Sequence, residues 1–236
     1  MTLVRRLAVV AVAALALCAA AAAATPDPQY QLDQADQAWT DSIILGSQDI
    51  GAGWQSSGTA GAITGPDSGA SAYCSLPDMS DLVLTGGTYS PDFTRTDGAY
   101  VASSAVTWQT PEQAQADWSR SLQPALMSCL AGDLRAESTK QVKVVVTSRR
   151  QLAWPTFGDR SVAYRISLVL KAHLKVKKKW RNMSARATAD FIAVGVGRAR
   201  AMIWTLSFNA HPIGDLAKQK WAVLLAQRMA SPPPAT

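Results

Sequence analysis

The sequence predicts an α+β fold, an α-β sandwich in which a curved antiparallel β-sheet is covered by two amphipathic helices. Three observations carry that expectation. Residues 161–177 alternate over a long run: Val162, Tyr164, Ile166, Leu168, Leu170, Leu174 and Val176 share one parity, and Arg165, Ser167, Lys171, His173, Lys175 and Lys177 share the other, with Val169 the exception. A period of two with one dry and one wet face marks an antiparallel strand. The segments that follow Thr110 and Ile213 repeat apolar residues at helical spacing.

In chain order, the first 24 of the 236 residues read MTLVRRLAVVAVAALALCAAAAAA. A positive start, an apolar middle and a small-residue exit at Ala22 and Ala24 predict an export signal peptide cleaved near Thr25. The run Leu7–Leu17 is shorter than the roughly 20 residues that span a membrane. Leu17 stands before Cys18, where a lipidation signal wants a small residue, so Cys18 reads as part of the removed segment; lipidation there is the alternative. Residues 25–40 read as a flexible leader, 41–231 as one domain and 232–236 as a proline-rich tail.

Asp41–Trp54 holds a short apolar core that runs into glycines, a short helix or strand followed by a turn. Residues 55–72 are rich in Gly, Ser, Ala and Thr and read as an exposed loop. Gly98–Gln109 is the first clear strand. TPEQ then opens a helix: Thr110 caps, Pro111 suits the first helical position and Gln113 completes a capping box. Ala114, Trp118, Leu122, Ala125 and Cys129 predict its buried stripe, and Pro124 predicts a kink. Val142, Val144 and Val146 mark a strand over 141–148. The long strand of residues 161–177 turns at Lys177–Asn182 and returns over Ala185–Val196. After a tight turn at Gly197–Arg200, a strand runs from Ala201 to Phe208. A last helix, from about Ile213 to Met229, buries Ile213, Ala217, Trp221, Leu224 and Leu225.

The formal net charge is +6, and loss of the leader removes Arg5 and Arg6. The remaining excess is too small for a dedicated nucleic-acid binder. Two cysteines, Cys74 and Cys129, stay after cleavage. An even count in an exported chain predicts a disulfide, worth on the order of 4 kcal/mol in the chain-entropy model. Two buried free thiols are the alternative.

The phrases DSIILGSQDIGAGW, TYSPDF, SSAVTWQTPEQAQADW, SCL, FGDRSVAYRI and DFIAVGVGRARAMI occur in that order between Asp41 and Met229. In this the chain resembles the exported PknH-like sensor domains of actinobacteria, as a stand-alone member. The resemblance implies an α+β sandwich with disulfides and a ligand groove, with Cys129 at a cysteine position typical of the group and Cys74 as its partner. The chain departs from the kinase pattern in having one possible bridge instead of two, no kinase domain and no anchoring helix after the signal.

Motifs for catalysis are lacking. The two histidines, His173 and His211, show no metal-binding spacing, and neither GPDSGAS nor LGSQDIG fits the GxSxG of serine hydrolases. VGVGRAR reads as a hairpin turn and not a phosphate cradle. No cofactor and no metal are expected. The block LKVKKKWR remains. Lys171, Lys175, Lys177, Lys178, Lys179 and Arg181 are candidates for contact with an anionic envelope surface, although basic residues at a hairpin tip also guard against strand-to-strand aggregation. The sequence therefore predicts an exported, non-enzymatic, sensor-like domain that binds an unknown small ligand or a partner in the cell envelope, without nucleic acid. The alternatives are a secreted hydrolase with an unrecognised site and an envelope-adhering protein acting through its basic hairpin.

Overall fold

The computed structural model describes residues 28–65, 77–176 and 179–231; of residues 174–176 and 179–180 the backbone alone is described. The predicted signal peptide with Cys18, the proline-rich tail, Cys74, Lys177 and Lys178 lie outside the described residues. The strands are β1 (Gln29–Tyr30), β2 (Trp54–Ser57), β3 (Gly61–Ala62), β4 (Val83–Tyr89), β5 (Asp92–Arg95), β6 (Tyr100–Trp108), β7 (Val142–Gln151), β8 (Arg160–Val176), β9 (Lys179–Val196) and β10 (Ala199–Phe208). The helices are α1 (Gln34–Ile43), α2 (Ser47–Ile50), α3 (Pro111–Ser121), α4 (Pro124–Ala136) and α5 (Asp215–Met229).

The strands form one sheet in the order β1-β4-β6-β10-β9-β8-β7, with β5 joining β6, β2 joining β5 and β3 joining β4. The pairing is antiparallel except for β1 along β4. The predicted α+β class holds, with a fuller helical cover than two helices. Strand parity sorts the core into two faces. Tyr164, Ile166, Leu168, Ala189, Phe191 and Leu206 pack with Leu122, Met127, Ala131 and Leu134 of the α3–α4 region. Ala163, Ile192, Val194, Ala201 and Ile203 pack with Trp39 and Ile43 of α1 and with Trp221, Ala222 and Leu225 of α5. Two helices thus lie on each face of the central strands, a three-layer arrangement that buries both sides of β6 and β10.

Four expectations change. The leader ends before residue 40: the Asp33 side chain caps α1 by accepting from the Ala35 and Asp36 amides, and Trp39 is buried. Pro124 divides the predicted helix instead of kinking it, because it occupies the first helical position of α4, where its missing N–H costs nothing. Ala125 is therefore exposed and Cys129 sits half-buried in mid-helix, while Met127, Ala131 and Leu134 carry the apolar contact. The return strand starts at Lys179, not Ala185, since residues 179–184 keep pairing with 171–176. Strand β4 carries two glycines, weak strand formers that hid it in the sequence. Gly86 is required there: a Cβ would lie 2.7 Å from the Asp36 carbonyl carbon and oxygen.

Candidate functional site

Helix α5 covers only the root of the β7–β8–β9 ribbon. Its anchor is a charge cluster at its first turn. Lys218, 2% exposed, donates to Asp190 at 2.5 Å and reaches Asp215 at 2.6 Å. Arg165 donates to Asp190 at 2.7 Å and to Asp215 at 2.8 Å. The Lys218 hydrogen bond, followed by that of Arg165, outweighs burial and holds the Asp215 carboxyl below the usual aspartate range. Asp190 and Asp215 together raise the Arg165 guanidinium above its ordinary value despite burial. The cluster is charge-balanced, which is what makes burying Lys218 tolerable.

Beyond Arg165 the wet face of the ribbon continues, and among the described residues no helix packs over it. The register lays out its rows across three strands. Ser148, Ser167 and Thr188 form one row; Val145, Val169 and Arg186 the next; then Lys143, Lys171 and Ser184. His173 pairs with Asn182 at the far end, their side chains joined by a 2.6 Å hydrogen bond. Lys143, Lys171, His173, Asn182, Ser184 and Arg186 are exposed. The three strands carry one carboxylate, Asp190, among their lysines and arginines, and it is committed to the α5 anchor. Among the described residues, this outer face has no acid to neutralise its cations.

The loop between α4 and β7 closes one side. Thr139 Oγ1 accepts from the Gln141 and Val142 amides at 3.2 and 3.0 Å, and the Thr139 amide donates to the Val142 carbonyl at 2.7 Å. This tight turn brings Lys140 beside the strand rows. The result is an open concavity of about 450 Å³ whose lining includes Lys140, Lys143, Lys171, His173, Asn182 and Ser184. Lysines directly opposite each other on neighbouring strands repel and lower sheet stability. Lys143 and Lys171 hold that arrangement, so an anion seated between them relieves a strain already present in the fold. Hydroxyl and amide groups of Ser184 and Asn182 lie in adjoining rows and can hydrogen-bond the same anion.

Of the six basic candidates read from the sequence, Lys171 lines this concavity. Arg181 does not join it. It is exposed, but its register opposite Leu174 puts it on the other side of the pleat. Lys175 and Lys179 take register positions opposite Trp180 and Val176. Lys177 and Lys178 fall outside the described residues. Lys140 and Lys143 were missed because they belong to a different strand and loop. The signal was available: Val142, Val144 and Val146 on the dry parity leave Lys143 on the wet one. Cys129 is placed in α4, whereas Cys74 lies outside the described residues. His211 sits in the turn after β10, where its amide donates to the Phe208 carbonyl and its own carbonyl accepts from Arg95 at 3.1 Å.

A second concavity, about 790 Å³, runs along the outer side of α5 between Ile50, Phe157, Leu216, Trp221, Val223 and Leu224. Leu216 is 76% exposed there. The stripe read from the sequence put Ala217 and Leu224 on the buried side, whereas they are half-buried along this trough and Trp221, Ala222, Leu225, Ala226 and Met229 make the buried face.

Among the described residues, no helix is long and apolar enough to cross a membrane. No family model matches the chain and no curated protein matches it. The extracellular domain of PknH from Mycobacterium tuberculosis is structurally similar at 10% identity and a TM-score of 0.38, over 83% of this chain and 97% of that one. A likeness that loose establishes neither a family nor a function for this chain.

Proposed function

We propose that this chain is exported and acts outside the cytosol as a non-enzymatic binding domain that holds anionic material of the cell envelope. The observation that carries the reading is Lys143 set directly opposite Lys171 on a strand face with no carboxylate among its described residues. The signal-peptide pattern of residues 1–24 and the ordered phrases resembling PknH-like sensor domains support the same compartment and a binding rather than a turnover role. A Cys74–Cys129 bridge belongs to this reading, tying α4 to the segment around Cys74.

The physics favours a ligand with repeated negative charge. Each exposed cation contributes little alone, and the shared field of Lys140, Lys143 and Lys171 concentrates counter-ions over the concavity. Binding should weaken as salt rises, because exposed charges are screened within about 8 Å at physiological ionic strength. The test is co-sedimentation of the purified chain with phosphatidylglycerol vesicles and with neutral phosphatidylcholine vesicles. The expected result is salt-sensitive binding to the anionic vesicles alone, weakened at least tenfold in the Lys143→Ser/Lys171→Ser variant. Unchanged binding in that variant, with loss on Lys177→Ser/Lys178→Ser/Lys179→Ser, would move the site to the hairpin tip and refute the concavity. Absence of binding to anionic vesicles in the unsubstituted chain would refute the reading itself.

A further inference from the structure

Strand β7 is the last strand of the sheet. It pairs with β8 on one side and ends the strand order on the other. Its backbone groups alternate between the two sides. The Gln141 carbonyl accepts from the His173 amide at 2.9 Å, and the Leu152 amide donates to the Ala163 carbonyl at 2.8 Å, so both ends of the strand have an inward-pairing residue. A register shift between Val146 and Ser148 inserts one extra residue and resets the alternation. Counting from the two ends, Val142 and Val144 turn their backbone groups outward before the shift, and Arg149 and Gln151 do so after it.

The two halves of this edge are treated differently. The first half is closed off locally: the Val142 amide donates to Thr139 Oγ1, the Val144 amide donates to Ser138 Oγ at 3.0 Å, and the Val142 carbonyl accepts from Thr139. The second half, Thr147–Gln151, is exposed along its whole length, and no such side-chain cap reaches its outward amides among the described residues. Its side chains are cationic on both faces. Arg150 pairs with Arg165 on the wet face, and Arg149 turns to the other face, where it donates to Ser128 of α4 at 3.0 Å.

We propose that the Thr147–Gln151 edge accepts an acidic, extended polypeptide segment as an added strand. Main-chain hydrogen bonds to the Arg149 and Gln151 amides and carbonyls supply the attachment, and alternate acidic side chains of the segment reach Arg149 and Arg150. The charge decides between occupants. A second copy docking through the same edge would set arginines against arginines, which is destabilising. Neutral strands gain the backbone bonds without the ion pairs, so the arginines act both as protection of the edge and as selection for acid.

The inference does not rest on the anion-binding concavity, and its test separates the two. The isotope-labelled full chain is titrated with a blocked eight-residue peptide of alternating valine and glutamate, and amide exchange is followed residue by residue. The expected result is at least tenfold slower exchange at Arg149 and Gln151, no protection with a valine-lysine peptide, and retained protection in the Lys143→Ser/Lys171→Ser variant. Arg149→Glu/Arg150→Glu should reverse the preference between the two peptides. Methylating the backbone nitrogens of the peptide's strand-facing residues should remove binding without altering the protein. Protection that survives methylation, equal protection by both peptides, or concentration-dependent self-association that protects the same amides would overturn the proposal.

Discussion

Gly86 shows how one residue sets the distance between two layers. It lies in β4 where α1 crosses, and a methyl group there would meet the Asp36 backbone at 2.7 Å and Thr107 Oγ1 at 2.8 Å. Backbone cannot rotate away as a long side chain does. Gly86→Ala is expected to destabilise the chain by about 1–3 kcal/mol, as overpacked cores do, with the loss read from urea denaturation midpoints. An unchanged midpoint would mean that α1 shifts freely. The same crossing is held by Asp36, whose carboxylate is bound by Arg198. Burial pushes the Asp36 carboxyl up, but the Arg198 and Thr85 hydrogen bonds with the Arg198 charge outweigh it, and the net direction is down. None of this was legible in the sequence, where Asp33–Gln37 is polar but for Ala35. The contacts that make the run helical are Trp39 in the core and Asp36 on an arginine 162 positions away.

Among the elements, the strands were the most legible. The alternation appears as alternate burial over residues 164–170, because one side packs towards α4 and the other is half-buried, whereas Ala163 at the root is buried under α1 and α5. Helix limits were less so. Pro124 is equally compatible with a kink and with a new first turn, and the side-chain pattern alone does not separate them. Helix α5 illustrates what patterning cannot show: its anchor is an ionic cluster assembled from two strands' worth of register. Removing Lys218 leaves Asp190 buried with one cation fewer. Lys218→Met is expected to cost on the order of 3–5 kcal/mol, the usual penalty for breaking a buried ion pair from one side. Thermal unfolding would measure the loss, and amide exchange should show it first in the opening turn of α5. A loss below about 1 kcal/mol would mean that the lysine is dispensable and that apolar packing of Trp221 and Leu225 alone seats the helix.

For the whole molecule, the α+β class could be read from periodicity, since antiparallel strands and amphipathic helices leave local signatures. The layering could not, because it depends on which helix returns to which face. The candidate site was half legible for a related reason: LKVKKKWR announced a basic hairpin, while the partner cation Lys143 comes from β7 and is brought in by cross-strand register. The proposed covalent tie is tested at this scale. The Cys74–Cys129 bridge is expected to appear as a linked peptide pair in unreduced mass spectra of secreted chain, with reduction costing on the order of 4 kcal/mol. Recovery of both sulfurs as free, alkylatable thiols would remove that tie and with it a main support for the extracytoplasmic reading.

The β7–β8 register ends at Val142, opposite Ala172, with one further hydrogen bond from the His173 amide to the Gln141 carbonyl, whereas β8 runs on to Val176 with β9 as its partner. At roughly 3.3 Å per residue, the ribbon projects about 13 Å past its last three-stranded row. A two-stranded ribbon is marginal by itself, so the described part of this projection draws little stability from the sheet it leaves. Its amides are expected to exchange with solvent before those of the layered body behind it.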